Sequence, residues 1–358
     1  MKIAIILGTR PEIIKFSPII RELSQNNIEY FIIHTNQHYS ENLDKIFFQQ
    51  FDIKQPEYNL NIGSHTQGKQ VGLMLEKIEQ VLMSNQPGLV MVQGDTNSGL
   101  AGALAAVKLQ LKVVHIEAGL RSYDKRMPEE INRKLIDHMA DLLFAPAKLQ
   151  KEILLSEGIS HEKICVVGNT IVDALQQNLV LSRKNRVLNQ YKLEKNNYFL
   201  LTFHRAENSN KENLETIVKS MKKIYKKYKT QIFFPIHPRT RNLLELFRIE
   251  IPSGLQLEEP LGYLPFLQLM ENARLIFTDS GGIQEEACIL KIPCISLRDN
   301  TERPETIEVN ANIIAGIDFV NIEQAIDKSL AKSTNWENPF GEQVSANIIK
   351  NLKGHLCM

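Results

Sequence analysis

Ser280, Gly281 and Gly282 lie between two contrasting stretches. Leu275-Ile276-Phe277 is an apolar run that predicts a buried strand, and Ile283 to Leu290 predicts a helix. A helix N-terminus presents backbone N–H groups and the positive end of its dipole, so an anion is favoured there. Glycine at that point lets the backbone approach a phosphate closely. Glu285 and Glu286, one turn further in, are too acidic to bind phosphate, and one of them suits sugar hydroxyls. The pattern points to a diphosphate beside a ribose; the alternative is an ordinary tight turn capped by Ser280.

Polar groups also follow the other apolar runs. Gly8-Thr9-Arg10-Pro11-Glu12, then Lys15, follow the first. Pro11 suits the first helical position, and Arg10 and Lys15 suit an anion; the alternative is a capped helix with solvated charges. Later runs lead into Thr35-Asn36-Gln37-His38, Gly94-Asp95-Thr96-Asn97 and His115-Ile116-Glu117-Ala118-Gly119-Leu120-Arg121. Asp95 and Glu117 are carboxylates at the ends of strands expected to be neighbours. Such a pair raises each other's pKa and divides acid and base roles. The alternative for Asp95 is a helix N-cap. Glu129 and Glu130 open the helix that follows Met127, where acids suit the first turn. His204, next to Arg205, and His237-Pro238-Arg239 follow strands in the second half, placed to contact phosphate or carry a proton.

The elements that position these loops are short apolar runs alternating with helical stretches. Strands are expected at Lys2–Leu7, Tyr30–His34, Leu89–Gln93, Val113–Ile116, Leu142–Ala145 and Ile164–Val167. A second set is expected at Phe199–Phe203, Gln231–Pro235, Leu255–Glu258, Leu275–Thr278, Cys294–Leu297 and Ile313–Ala315. Continuous apolar strands between helices mean parallel sheets covered on both faces. Two sets mean two doubly wound α/β domains. The polar stretch Leu181–Asn197 is the expected separator, with the second lobe starting at Tyr198 or at the Gly168-Asn169 turn. Ligands bind beyond the carboxyl ends of such sheets, so a site in the cleft between the two lobes is expected.

Composition removes other classes. A net charge of +1, with 23% charged residues, offers no global case for nucleic acid. The cysteines Cys165, Cys288, Cys294 and Cys357 show no metal spacing and are expected as reduced thiols in a cytoplasmic protein. Met1–Leu7 is too short for a signal peptide, and no run reaches the roughly 20 apolar residues of a membrane span. Gly63 to Lys69 imitates a nucleoside-triphosphate loop, but Gln70 stands where a magnesium-binding hydroxyl is required, and no convincing strand precedes it. His115-Ile116-Glu117 with Pro293-Cys294 imitates a zinc deaminase, but Leu297 replaces the second cysteine. The six lysines of Lys219 to Lys229 read as a solvated face over an apolar stripe.

Several segments together closely resemble the non-hydrolysing UDP-N-acetylglucosamine 2-epimerases, the archaeal-type branch nearest. They are Gly8 to Glu12, Gly94 to Thr96, His115 to Ser122, Pro128 to Arg133, Gly168 to Thr170, His204 to Asn208, His237 to Arg239, Thr278 to Glu286 and Arg298 to Glu305. The resemblance runs almost end to end. It implies a GT-B fold of two Rossmann-like domains facing a cleft, residues 1–168 and 169–340, with a last helix at about 341–358 packing back on the first. It implies a homodimer, a UDP-sugar substrate, no redox cofactor and no metal. The implied isomerase reaction interconverts UDP-GlcNAc and UDP-ManNAc, for a glycan or surface-polysaccharide precursor, through UDP elimination to 2-acetamidoglucal and re-addition. Carried over by motif, the catalytic residues are Asp95, Glu117, Glu129 and His204. The UDP-sugar contacts are Arg10, Lys15, Asp95, Glu117, His204, Arg205, Leu261, Phe266, Ser280, Gly281, Gly282, Glu286 and Arg303. Phe266 is expected against the uracil, Leu261 as a backbone contact, and Glu286 on the ribose. Tyr39 to Lys45 departs from the segment through which many bacterial relatives bind an activating second UDP-GlcNAc. Other readings are a GT-B glycosyltransferase, a hydrolysing epimerase, a UDP-sugar sensor and an epimerase of a related UDP-N-acetyl sugar.

Overall fold

The computed structural model describes residues 1–36, 48–124, 126–205, 208 and 210–355. The Tyr39–Lys45 segment, Gln37, His38 and Cys357 lie outside the described residues. The chain divides into two compact units, Met1–Ala174 with Phe340–Met358, and Leu175–Pro339. The first division falls inside the helix Ile171–Ser182. Leu181–Asn197 is not a bare separator. It carries the helix Val187–Tyr191, and Val187 and Leu193 are buried in the core of the second unit beside Tyr198 and Phe233.

Among the described residues, the first unit holds a seven-stranded, all-parallel sheet of order β3-β2-β1-β4-β5-β6-β7. The strands are β1 Ile3–Leu7, β2 Tyr30–His34, β3 Tyr58–Asn59, β4 Leu89–Gln93, β5 Lys112–Ile116, β6 Leu142–Ala145 and β7 Ile164–Val166. β3, only two residues long, was not expected; it precedes the Gly63–Gln70 loop. The second unit holds a six-stranded parallel sheet of order β10-β9-β8-β11-β12-β13. Its strands are β8 Tyr198–Thr202, β9 Gln231–Pro235, β10 Leu255–Glu258, β11 Leu275–Thr278, β12 Cys294–Ser296 and β13 Asn312–Ile314. β8 and β13 are shifted one residue toward the N-terminus from expectation.

Burial on both faces explains the continuous apolar runs. Phe199 and Leu201 of β8 enter one core with Phe277 and Ile295, while Tyr198 and Leu200 enter the opposite core with Phe233 and Ile276. Every residue of β1 is buried.

In both sheets the strand order reverses direction around the first strand: β1 lies between β2 and β4, and β8 between β9 and β11. Helices leave such neighbours on opposite faces, opening a crevice beyond their carboxyl ends. The loops there are Gly8–Glu12 with Gly94–Thr96, and Phe203–Asn208 with Asp279–Gly282.

Two helices of the first unit bear on its site. Arg10–Gln25 starts at Thr9 with proline in its first turn. Pro18 interrupts it and has no N–H for the carbonyl of Ile14. The Ser17 hydroxyl donates to that carbonyl at 2.8 Å, so the helix continues. Val344–His355 packs against it, and Asp173 accepts from the N–H groups of Val344 and Ser345 at 3.2 and 2.6 Å.

Gly8 has no room for a side chain: a Cβ there would lie 2.0 Å from Thr35 Oγ1 and 2.2 Å from Ser98 Oγ. Those hydroxyls are bonded to each other at 2.7 Å in a buried setting. Gly8→Ala is expected to destabilise the chain by about 1–3 kcal/mol, read as a fall of several degrees in thermal midpoint. An unchanged midpoint would show that Thr35 and Ser98 yield freely.

Candidate active site

Glu12 joins the two loops at the crevice of the first sheet. Its buried carboxylate accepts from Gly8 N–H at 3.0 Å, from the Thr9 hydroxyl at 2.7 Å and from the Thr96 hydroxyl at 2.8 Å. Burial pushes it up to about 7, against the lowering effect of those donors.

Thr96, not Asp95, caps the helix Asn97–Lys108, accepting from Gly99 N–H at 3.0 Å. Asp95 is thereby left for other work. Its carboxylate pairs with Arg133, and its carbonyl accepts from Asn132 Nδ2 at 2.9 Å. Glu117 pairs with Lys15 at 2.5 Å, and Gln93 and Asn169 donate to it at 3.4 Å. The strand-end pair Gln93↔Ile116 sets Gly94 and Glu117 at one level of the sheet. Each carboxylate therefore has a cation beside it. Glu117 adopts a left-handed backbone with φ of 67°, a conformation that costs a non-glycine residue energy and that surrounding contacts must hold.

The helix Pro128–Met139 supplies those contacts. Glu130 accepts from Ser122 N–H and Oγ at 2.8 and 2.9 Å and from Arg133 at 2.8 Å. Burial raises Glu130, yet these donors hold it below its ordinary value. Glu129, its neighbour, is exposed. Asp137 is fully buried and bonds His115 Nδ1 at 2.7 Å, Gly119 N–H at 3.2 Å and Arg121 at 2.7 Å. Burial again acts upward, and His115 and Arg121 overcome it to hold Asp137 low.

The second unit repeats the device. Asp279, fully buried, accepts from the N–H groups of His204 and Arg205 at 2.9 Å each and from Asn208 Nδ2 at 3.3 Å. His204 Nδ1 lies 3.4 Å from the other Asp279 oxygen, with the rest of the ring half-exposed. Ala206 and Glu207 of this loop lie outside the described residues. The helix Gly281–Ile289 begins two residues earlier than expected. Ser280 stands at its N-cap but makes no side-chain cap bond, so its hydroxyl does not use the first-turn amides. The two glutamates divide: Glu285 pairs with Arg303 at 2.7 Å, and Glu286 accepts from Tyr263 at 3.2 Å. Arg298 makes two bonds to Glu302, at 2.7 and 2.9 Å, with Arg205 at 3.6 Å. Against burial, these guanidiniums hold Glu302 down at about 2.

His237 caps its helix through Nδ1, accepting from Arg239 N–H at 3.2 Å, and its ring stacks 6.2 Å from that of His204. Leu261 and Phe266 pack partly buried against the core of the second unit. Arg10 opens the first helix and is partly exposed. Two decoys are accounted for: Gln70 bonds Gly63 and Asn97 inside the first unit, and the Lys211–Tyr228 helix buries Leu214, Ile217, Met221 and Ile224 beneath its lysines.

A family profile described as UDP-N-acetylglucosamine 2-epimerase matches residues 21–353. The chain belongs to this family. It is 56% identical to the UDP-N-acetylglucosamine 2-epimerase of Methanococcus maripaludis, covering 98% of both chains. It matches the crystal structure of the Methanocaldococcus jannaschii UDP-GlcNAc 2-epimerase in complex with UDP-GlcNAc and UDP with a TM-score of 0.88 and 55% identity, covering 99% of this chain and 100% of that one. It is 37% identical to the UDP-2,3-diacetamido-2,3-dideoxy-D-glucuronate 2-epimerase of Pseudomonas aeruginosa, over 98% of this chain and 99% of that protein. The fold is α/β of the GT-B type.

Glu12, Asp137 and Asp279 were missed as organising residues, although Glu12 and Asp279 sit inside motifs that were noticed. The available signal was an acid amid apolar residues, as in Leu135-Ile136-Asp137.

Glu12 yields a pH test. Its folded value is raised from 4.5 to about 7, so its stabilising contribution is full below the unfolded value and lost as pH rises through the folded one. Glu12→Gln cannot ionise. Its unfolding free energy should therefore gain on the wild type between pH 5 and 8, by up to about 3 kcal/mol in urea titrations. A constant difference would mean that Glu12 is ionised throughout.

Proposed function

We propose that this chain is a non-hydrolysing UDP-N-acetylglucosamine 2-epimerase, interconverting UDP-GlcNAc and UDP-ManNAc. The observation that carries the reading is the pair Asp95 and Glu117 on adjacent strand-end loops, each held by its own cation, in a chain with epimerase relatives along its whole length. A carboxylate takes the C2 proton, the C2–H electron pair forms the C1=C2 bond, and the C1–O pair departs on the β-phosphate of UDP. In return, that phosphate oxygen attacks C1, and the double-bond electrons take a proton at C2 from the opposite face. The second half reverses the first with inverted geometry, so atoms and electrons balance.

In this reading Asp95 and Glu117 are the acids nearest C2, with exposed Glu129 exchanging protons with solvent. In the second unit His204, Arg205, Arg303 and the amides of Ser280 to Gly282 are the donors for the diphosphate, where developing charge needs preorganised donors; in the first, Arg10 and Lys15 are the cations assigned to the UDP-sugar. Glu286 takes the ribose, Phe266 the uracil face, and Leu261 contributes through its backbone. A cytoplasmic homodimer completes the proposal. Free thiols at Cys288 and Cys294 support the compartment. The exposed apolar residues Val107, Ile131 and Leu135, on two helices packed together in the first unit, support the pairing.

The uronate relative keeps a di-acetamido UDP-sugar as the second substrate reading. Parallel assays with the two UDP-sugars, each without acceptor, decide. UDP-ManNAc from UDP-GlcNAc alone is expected; product from the di-acetamido sugar only would favour the second reading, and no product from either would reject the epimerase. Asp95→Asn and Glu117→Gln are each expected to lower turnover about 10²–10⁴-fold while UDP affinity, by calorimetry, stays within a few-fold. Wild-type turnover in both variants would remove the proposed roles.

A further inference from the structure

We propose that His115 and Asp137 are positioning residues that set the distance between Asp95 and Glu117. The inference rests on the roles just assigned to those two acids.

The His115 ring bridges two loops. Nε2 lies 2.8 Å from the carbonyl of Gly94, the residue before Asp95, and Nδ1 lies 2.7 Å from Asp137 Oδ1. A carbonyl accepts and cannot donate, so Nε2 carries a proton. The chain then runs two residues from His115 to Glu117. One ring thus ties the backbone that presents Asp95 to the strand end that presents Glu117.

Asp137 closes the far side. Its second oxygen takes Gly119 N–H at 3.2 Å and Arg121 at 2.7 Å. Arg121 is held in turn by two bonds to Glu157, at 2.9 and 2.6 Å. His115, Gly119 and Arg121 therefore converge on one carboxylate, while Glu117, between them, pairs with Lys15. That arrangement accounts for the left-handed backbone at Glu117, since it is pinned two residues before and two residues after. Gly119 admits no side chain: at φ of 84°, a Cβ there would meet the Gln150 carbonyl at 2.6 Å.

The helix Pro128–Met139 gathers the whole arrangement. Arg133 and Asp137 are one turn apart on one face; Arg133 holds the Asp95 carboxylate and Asp137 holds the Glu117 loop. None of these groups needs to touch the substrate. Their effect is geometric: two acids that must reach C2 from different faces are fixed on one rigid element, and an error of about 1 Å in such placement costs on the order of 10²-fold in rate.

The test uses the full-length chain, with UDP-GlcNAc in heavy water followed by NMR. It reads kcat, KM, UDP affinity and the ratio of deuterium wash-in at C2 of recovered UDP-GlcNAc to UDP-ManNAc formed. Asp137→Asn is expected to lower kcat about 100-fold, with KM and UDP affinity within about threefold and the exchange-to-inversion ratio shifted by threefold or more. His115→Gln, which keeps one of the two ring bonds, is expected to fall between it and the wild type. If Asp137→Asn does not fold, by circular dichroism and thermal unfolding, His115→Gln carries the test under the same criteria. A folded variant with wild-type kcat overturns the proposal. So does a loss of kcat paralleled by loss of UDP affinity with an unchanged exchange-to-inversion ratio, the signature of a merely structural contribution. A wild type that inverts UDP-GlcNAc while the variants behave in either of those ways refutes this inference alone; a wild type with neither inversion nor exchange refutes the epimerase reading and this inference with it.

Discussion

A carboxylate removed from water is tolerated only when several donors surround it, and this chain places such a carboxylate at the strand-order reversal of each sheet. Glu12 takes donors from the loops after β1 and β4. Asp279, at the end of β11, takes two backbone amides from the loop after β8. In each case the desolvation penalty is met only if the loops adopt one arrangement relative to each other. The requirement to satisfy a buried carboxyl group is thereby converted into a fixed loop geometry, on a rigid parallel sheet.

The two units use this geometry differently. In the first, the groups placed around it are acids with individual cations: Asp95 with Arg133, and Glu117 with Lys15. The cation beside each carboxylate fixes its direction. In the second, the surrounding groups are cations and amides, with Arg303 and Arg298 held by Glu285 and Glu302. Guanidiniums held in this way have fixed directions. The near-zero net charge of the chain conceals this local separation of roles.

Much of the scaffold was legible in the sequence because parallel strands buried on both faces leave uninterrupted apolar runs. Leu89–Gln93 and Leu275–Thr278 were placed to the residue. β3 was not legible: two residues, one of them Asn59, carry no periodicity, and their pairing with β2 supplies the strand. Leu181–Asn197 misled in the opposite sense, since its charge hides Val187 and Leu193, which only the fold brings to the core. At the site, residue types were readable but partnerships were not. Thr96 and Asp95 are both good caps, and the choice between them is settled by Arg133 and Asn132 from a later helix. The organising carboxylates are hardest of all, because their donors are remote: Thr96 is 84 residues from Glu12, and His204 is 75 from Asp279.

The most direct measurement is proton NMR of UDP-GlcNAc with the wild-type chain in heavy water, following C2 and the anomeric signals together. The account predicts UDP-ManNAc carrying deuterium at C2, approaching equilibrium with UDP-GlcNAc while free UDP and free ManNAc stay at trace levels. UDP-ManNAc that retains its original C2 hydrogen, or ManNAc accumulating in step with UDP, would contradict it.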